Sequence, residues 1–291
     1  KFIAAAVIII FFIPYTASGF SACGKLFESI FGIPYMTAMI VSGIVIVLYT
    51  ALGGFLAAST TDFIQSIVMT IALVVVLGFG INYAGGWEQV TANAESLAGY
   101  LNFTVTHGAE SVSEAIAGTA GTKPYGALTI ASTLAWGLGY FGMPHILLRF
   151  MAIEKVEKIK LARRVASIWV VISMAVAIVI GVVGYGVVKS GVVSGLKDSE
   201  RIIIEIAKVI SGEGWIFAII AGIILSGILA SIMSTADSQL LAASSSVSQN
   251  IMIDVFDVRL NDKQKLGVAR LTVVIIAIIG IIGFLGYKYY E

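Results

Sequence analysis

Polar residues interrupt this chain rarely and in clusters, leaving apolar windows at roughly residues 2 to 22, 37 to 58, 63 to 84, 126 to 148, 165 to 188, 214 to 237 and 267 to 287. Each is long enough to cross ~30 Å of hydrocarbon as a helix at about 1.5 Å per residue, so the pattern predicts seven membrane spans. The two longest connections, 85 to 125 and 189 to 213, each carry a short helical pattern, such as Ile202, Ile203, Ile204, Ile206 and Val209 following Asp198 and Ser199. These predict interfacial helices. The fourth window is the least apolar. It reads Trp136-Gly-Leu-Gly-Tyr140-Phe-Gly-Met143-Pro144-His145, with Gly137, Gly139, Gly142 and Pro144 falling within eight residues. In hydrocarbon, irregular backbone survives only where it is buried in protein or lines a polar cavity. Broken helices are a hallmark of secondary transporters, and the break marks a place where a solute could bind.

Composition confirms the solvent: 58% of residues are hydrophobic and 12% charged, with a mean hydropathy of +0.99. A net charge of +1, with basic residues spread over several connections, excludes a nucleic-acid-binding stripe. The single Cys23 excludes an internal disulfide framework. Lys1, Arg149, Lys155, Lys158, Lys160, Arg163, Arg164, Arg259, Lys263, Lys265 and Arg270 fall on one side of the predicted spans. Lys25, Lys123, Lys189, Lys197, Arg201, Lys208 and Lys288 fall on the other. The positive-inside rule then places the first side in the cytoplasm. The Asn102-Phe103-Thr104 triplet is read as a chance sequon, because such triplets are short and frequent. No repeat or low-complexity tract marks a second domain, so residues 1–291 are expected to form a single transmembrane domain. Because the chain enters a span one residue after Lys1, with no Met and no leader, a fragment of a longer protein is expected. Small residues at Gly181/Gly184 and Gly280/Gly283/Gly286 are expected to let helices approach closely.

Two further clusters carry chemistry. In Ser231-Ile-Met-Ser234-Thr235-Ala-Asp237-Ser238 hydroxyls recur at i, i+3, i+4 and i+7, which lines one helical face with oxygen. Hydroxyls bonding back to carbonyls one turn earlier would account for the serines and threonine. An acidic residue inside a span is costly and by default marks an ion or proton route. Ser59-Thr60-Thr61-Asp62 opens the third window, where Asp62 could serve as a helix N-cap or as an ion ligand. His145 and Arg149, four apart, leave an inner gate and snorkelling toward headgroups both open. No metalloenzyme, triad or phosphate-loop motif is present, so an enzyme is not expected.

Four runs in order resemble the sodium/solute symporter family, and most of all its bacterial sodium/proline symporters. They are Tyr15-Thr-Ala-Ser-Gly-Phe with Gly24-Lys-Leu-Phe-Glu-Ser29; Tyr49-Thr-Ala-Leu-Gly-Gly-Phe-Leu56 running into Thr61-Asp-Phe-Ile-Gln65; Leu134 to Gly142 continuing through Pro144-His145 and Arg149-Phe-Met-Ala-Ile153; and Ile228 to Thr235 followed by Gln239-Leu-Leu241. The resemblance covers essentially the whole chain. It implies an all-α membrane protein with an inverted-repeat core of five plus five helices. The seven spans would be core helices three to nine, with the first, second and tenth missing.

The resemblance further implies a sodium site at the Ser231 carbonyl and the Ser234 and Thr235 hydroxyls, and a second sodium site at Asp62, Asp237 and Ser238. For solute it implies Trp136, Tyr140 and Pro144 on the broken helix together with Tyr15. Met143 departs from the Gln common in proline-type relatives and removes a hydrogen-bonding side chain from that pocket. The implied function is sodium-coupled import of a small amino acid, proline first, across a bacterial inner membrane by alternating access. Sodium is the coupling ion; solute, sodium and lipid are the partners. The alternatives are another family solute, such as a different amino acid, a vitamin or a sugar, and a transporter-like sensor fused to a signalling kinase.

Overall fold

The apolar windows become long helices. In the computed structural model α1 runs Phe2–Phe31, nine residues past its predicted end, and stops at Gly32, whose left-handed backbone (φ 65°) lets its N–H reach the Glu28 carbonyl. The structure describes residues 1–194, 196 and 198–290, the side chains as far as 283. Lys197 and the side-chain contacts of Gly286 and Lys288 therefore lie outside the described residues.

The second and third windows fuse into α2, Tyr35–Tyr83, whose 49 residues would measure roughly 74 Å if straight. It is bent at Gly54, where φ 60° and ψ −158° lie in a region open essentially to glycine alone. The sequence placed this interruption at the polar run 59 to 62 instead. Those residues stay helical because Thr60 donates to the Leu56 carbonyl and Thr61 to those of Ala57 and Ala58, internalising their polarity. Asp62 consequently sits inside the helix, and the N-cap role is overturned.

The connection over residues 85 to 125 holds α3, Trp87–Ser96, and α4, Val112–Ala117. It also holds a two-stranded antiparallel ribbon of β1, Val105–His107, and β2, Thr122–Pro124, with Thr106 opposite Lys123. The fourth window resolves into α5, Ala127–Tyr140, and α6, Pro144–Met151. Pro144 has no N–H to continue the preceding helix and is suited to open the next. Then follow α7, Lys158–Lys189, α8, Ile202–Ser211, and α9, Trp215–Ser245, which winds on as a π-helical stretch Ser246–Ile253. The last helix is α10, Asp262–Tyr290. Among the described residues five helices are long and apolar enough to span a membrane. With α2 counting as two, they account for six of the seven windows.

The chain divides into two compact units. The first comprises Lys1–Met69, Pro144–Ala152 and Ile228–Glu291; the second comprises Thr70–Met143 and Ile153–Gly227. In the first, Phe12, Phe20, Cys23, Met39, Ile46, Leu240, Val273 and Ile276 form the core. Gly280 matters there: an added Cβ would lie 3.4 Å from the Ile13 carbonyl and 3.5 Å from Ala17 Cβ. In the second, Val76, Ile180, Val183, Val187, Ile206, Ile210 and Ile224 pack together. Here α8, begun by Asp198 accepting from the Glu200 N–H, turns its apolar face onto protein, burying Ile204, Ile206 and Ile210. Gly184 admits Ile202, which an added Cβ would meet at 2.6 Å. Gly181 and Gly283 face no atom within 4 Å, so the close-approach role holds for Gly184 and Gly280 but not for these two.

Candidate functional site

In the first unit a chain of polar contacts threads an otherwise apolar interior. The hydroxyl face of α9 comes first. Ser234 Oγ and Thr235 Oγ1 both donate to the Ser231 carbonyl at 3.1 Å. The three groups the resemblance gave for sodium thus converge on one carbonyl oxygen, with Ser234 and Thr235 half-buried. Both hydroxyls thus make the one-turn back-bond that accounts for them without an ion, and the same three oxygens stand close enough on one turn to serve a weakly held monovalent cation.

One turn further on, Asp237 is fully buried. Tyr49 Oη donates to its Oδ2 at 2.9 Å and lies 3.2 Å from the Met233 carbonyl. Ser238 Oγ lies 3.1 Å from Asp237 Oδ1 and 2.8 Å from the Ser234 carbonyl. A buried carboxylate without donors would cost several kcal/mol; here two hydroxyls share it. Arg149, on α6, donates to Ser238 Oγ at 2.5 Å and forms an ion pair with Asp62. The other oxygen of Asp62, Oδ1, is buried and has no hydrogen-bond partner among the described residues. Asp62, Asp237 and Ser238, drawn from α2 and α9, are therefore brought together, with a guanidinium at their centre.

Sequence reasoning left two members of this set without a partner. Tyr49 lay inside a recognised run but had no assigned role. Arg149 was read, with His145, as an inner gate or as snorkelling toward headgroups, whereas it turns to Asp62 and Ser238. The available signal was its isolation, since α6 reads Pro-His-Ile-Leu-Leu-Arg-Phe-Met and an arginine there needs a counter-ion. A second polar contact, Thr16 Oγ1 to Gln239 Oε1 at 3.3 Å, is buried nearby in sequence on α9, and Gln239 Nε2 has no hydrogen-bond partner among the described residues. Outside the spans, the Lys1 ammonium bonded to Asp254 at 3.1 Å holds that carboxyl below its usual range, aided by Gln249.

The residues expected to bind solute divide between the units. In the first, Tyr15 and His145 both meet Phe12 edge-on, with ring centroids 6.4 and 5.6 Å away, so Tyr15 lies within one aromatic cluster of the residue that follows Pro144. In the second, Trp136 and Tyr140 stand one turn apart on α5 with centroids 6.2 Å apart and rings inclined at 60°. Both are exposed, and α5 buries none of its residues. The helix ends in a tight turn, the Gly142 and Met143 N–H groups bonding to the Gly139 and Tyr140 carbonyls at 3.1 and 3.3 Å. The predicted helix break is thus present at 141 to 143.

The model of the Sodium:solute symporter family matches residues 1–287. The osmoregulated proline transporter OpuE of Bacillus subtilis is 37% identical over 278 residues, covering 95% of this chain and 52% of its own length. The high-affinity proline transporter PutP of Bacillus subtilis is 38% identical, covering 93% and 52%. The sodium/proline symporter of Escherichia coli is 35% identical, covering 95% and 51%. The chain thus spans about half the length of the curated relatives it matches. A solved structure of a Na+-coupled sialic acid symporter in a substrate-bound, outward-open state has the same fold. Its TM-score is 0.74 at 17% identity, over 98% of this chain and 58% of that one.

Proposed function

This chain belongs to the sodium:solute symporter family, a family of multi-pass membrane transporters, and from that premise we propose that it forms core helices three to nine of a sodium-coupled importer of proline. The observation that carries the proposal is the match across residues 1–287 to the symporter family, with relatives at 35 to 38% identity named for proline. Sodium is held by the Ser231 carbonyl and the Ser234 and Thr235 hydroxyls. Solute contacts fall to Trp136, Tyr140 and Met143 in the second unit, and to Tyr15 and Pro144 in the first. A compact aromatic wall suits a small saturated ring, and the backbone freed at the break can meet its carboxylate and amine. The membrane is a bacterial inner membrane, and the two compact units act as one transporter domain.

Sodium moving inward supplies the energy. Each ion gains ~2.3 kcal/mol per 100 mV, so at ~150 mV one ion supports several hundredfold accumulation before its own concentration gradient is counted. The test is uptake by the complete protein in proteoliposomes, comparing proline with a panel of amino acids, vitamins and sugars with and without a sodium gradient. Saturable sodium-stimulated uptake won by proline is the expected result. Sodium-driven uptake of a sugar uncontested by proline would overturn the substrate, and sodium-independent uptake would overturn the coupling.

A further inference from the structure

We propose that Arg149 sets the number of sodium ions carried, filling the Asp62–Ser238 position with a tethered cation so that this position takes no sodium while Arg149 is in place. The proposal rests on the sodium-coupled reading above. Its observations are geometric. Arg149 pairs with Asp62 and donates to Ser238 Oγ at 2.5 Å, so one guanidinium engages two of the three side chains that would otherwise form a second cation site. The space left beside it, lined by Ser59, His145, Arg149 and Ser238, is about 10 Å³. That is the lower edge of what holds a single water. Arg149 and a hydrated ion cannot share it.

Charge balance points the same way. Asp62 and Asp237 bring two formal negative charges and Arg149 one positive, leaving a single unit for one monovalent cation. Asp237 receives only neutral donors, Tyr49 and Ser238, and lies one turn from the Ser234 and Thr235 hydroxyls on the same helix. The unbalanced charge therefore sits where it attracts the one sodium of the hydroxyl face. Arginine cannot vacate the position by losing its proton, because its guanidinium stays charged at every physiological pH. A lysine could do so if desolvated. The side chain remains 40% exposed while Asp62 is 10% exposed, so the cation is presented from the wetter side to a largely buried carboxylate.

The experiment counts sodium. Equilibrium binding of radioactive sodium to the purified complete protein is compared with charge-to-solute ratios from reversal potentials in proteoliposomes. The expected counts are one for the wild type, one for Arg149→Lys, two for Arg149→Gln and one again for Arg149→Gln combined with Asp62→Asn. Asp62→Asn alone should gain no sodium, and its one ion should bind more weakly, because Arg149 without its partner then offsets the Asp237 charge. A wild-type count of two that falls to one in Asp62→Asn would overturn the proposal, and this comparison holds even if Arg149→Gln does not fold. An Arg149→Gln protein that folds and still binds one sodium would overturn it too. No sodium bound in any variant would overturn the coupling reading beneath it, whereas a failure of proline uptake alone would leave the ion count as the deciding measurement.

Discussion

The two compact units bury different kinds of residue. Of the twelve buried polar or charged residues among those described, eleven, including Thr16, Thr50, Asp237, Ser238 and Gln239, belong to the first unit, and only Asn93 to the second. The second unit's interior is Val, Ile and Ala. In lipid the surrounding solvent is as apolar as any core, so burying a carboxylate brings no stability that an isoleucine would not supply more cheaply. The polar interior of the first unit is therefore the part that the proposed sodium chemistry has to explain, whereas packing alone accounts for the second unit's interior.

That contrast can be broken most severely in the second unit. Ile206→Ala removes a fully buried side chain and should cost about 2–5 kcal/mol of stability, read as a fall in the unfolding midpoint of the purified protein. The molecules that survive should keep their sodium dependence; a changed sodium requirement would erase the distinction. In the first unit Tyr49→Phe removes a donor to Asp237 at little change in volume. It should cost about 1–3 kcal/mol and, unlike Ile206→Ala, alter sodium activation of uptake. Ser234→Ala with Thr235→Ala should raise the sodium concentration for half-maximal uptake about tenfold, equivalent to about 1.4 kcal/mol, with solute ranking intact. Unaltered sodium dependence would reassign that face to packing. The smallest effect belongs to Met143→Gln, which should change solute affinity or ranking a few-fold, under about 1 kcal/mol, with sodium activation unchanged in competition assays.

Periodicity and length made the helices legible, because hydrocarbon leaves the backbone few alternatives. The break at 141 to 143 was equally legible from its glycines and Pro144. The bend in α2 was misplaced by the same logic, since a polar run looks like an interruption until its hydroxyls are seen bonding to Leu56, Ala57 and Ala58. Gly54 follows Gly53, and that Gly-Gly pair was the signal available for the bend. The oxygen-lined face of α9 followed from spacing within one helix. What did not follow was the pairing of Asp62 with Arg149, 87 residues apart in sequence, because a local pattern carries no information about which distant helix supplies a counter-ion.

The lone thiol has a practical consequence. Cys23 is completely buried against the first unit's core, so its thiol is shielded from bulky maleimides in water. No other native cysteine within residues 1–291 needs replacing. A cysteine introduced at the exposed Trp136 or Tyr140 can then carry a fluorophore or spin label, and spectra become readable from α5 with no exposed native thiol of residues 1–291 competing for the label.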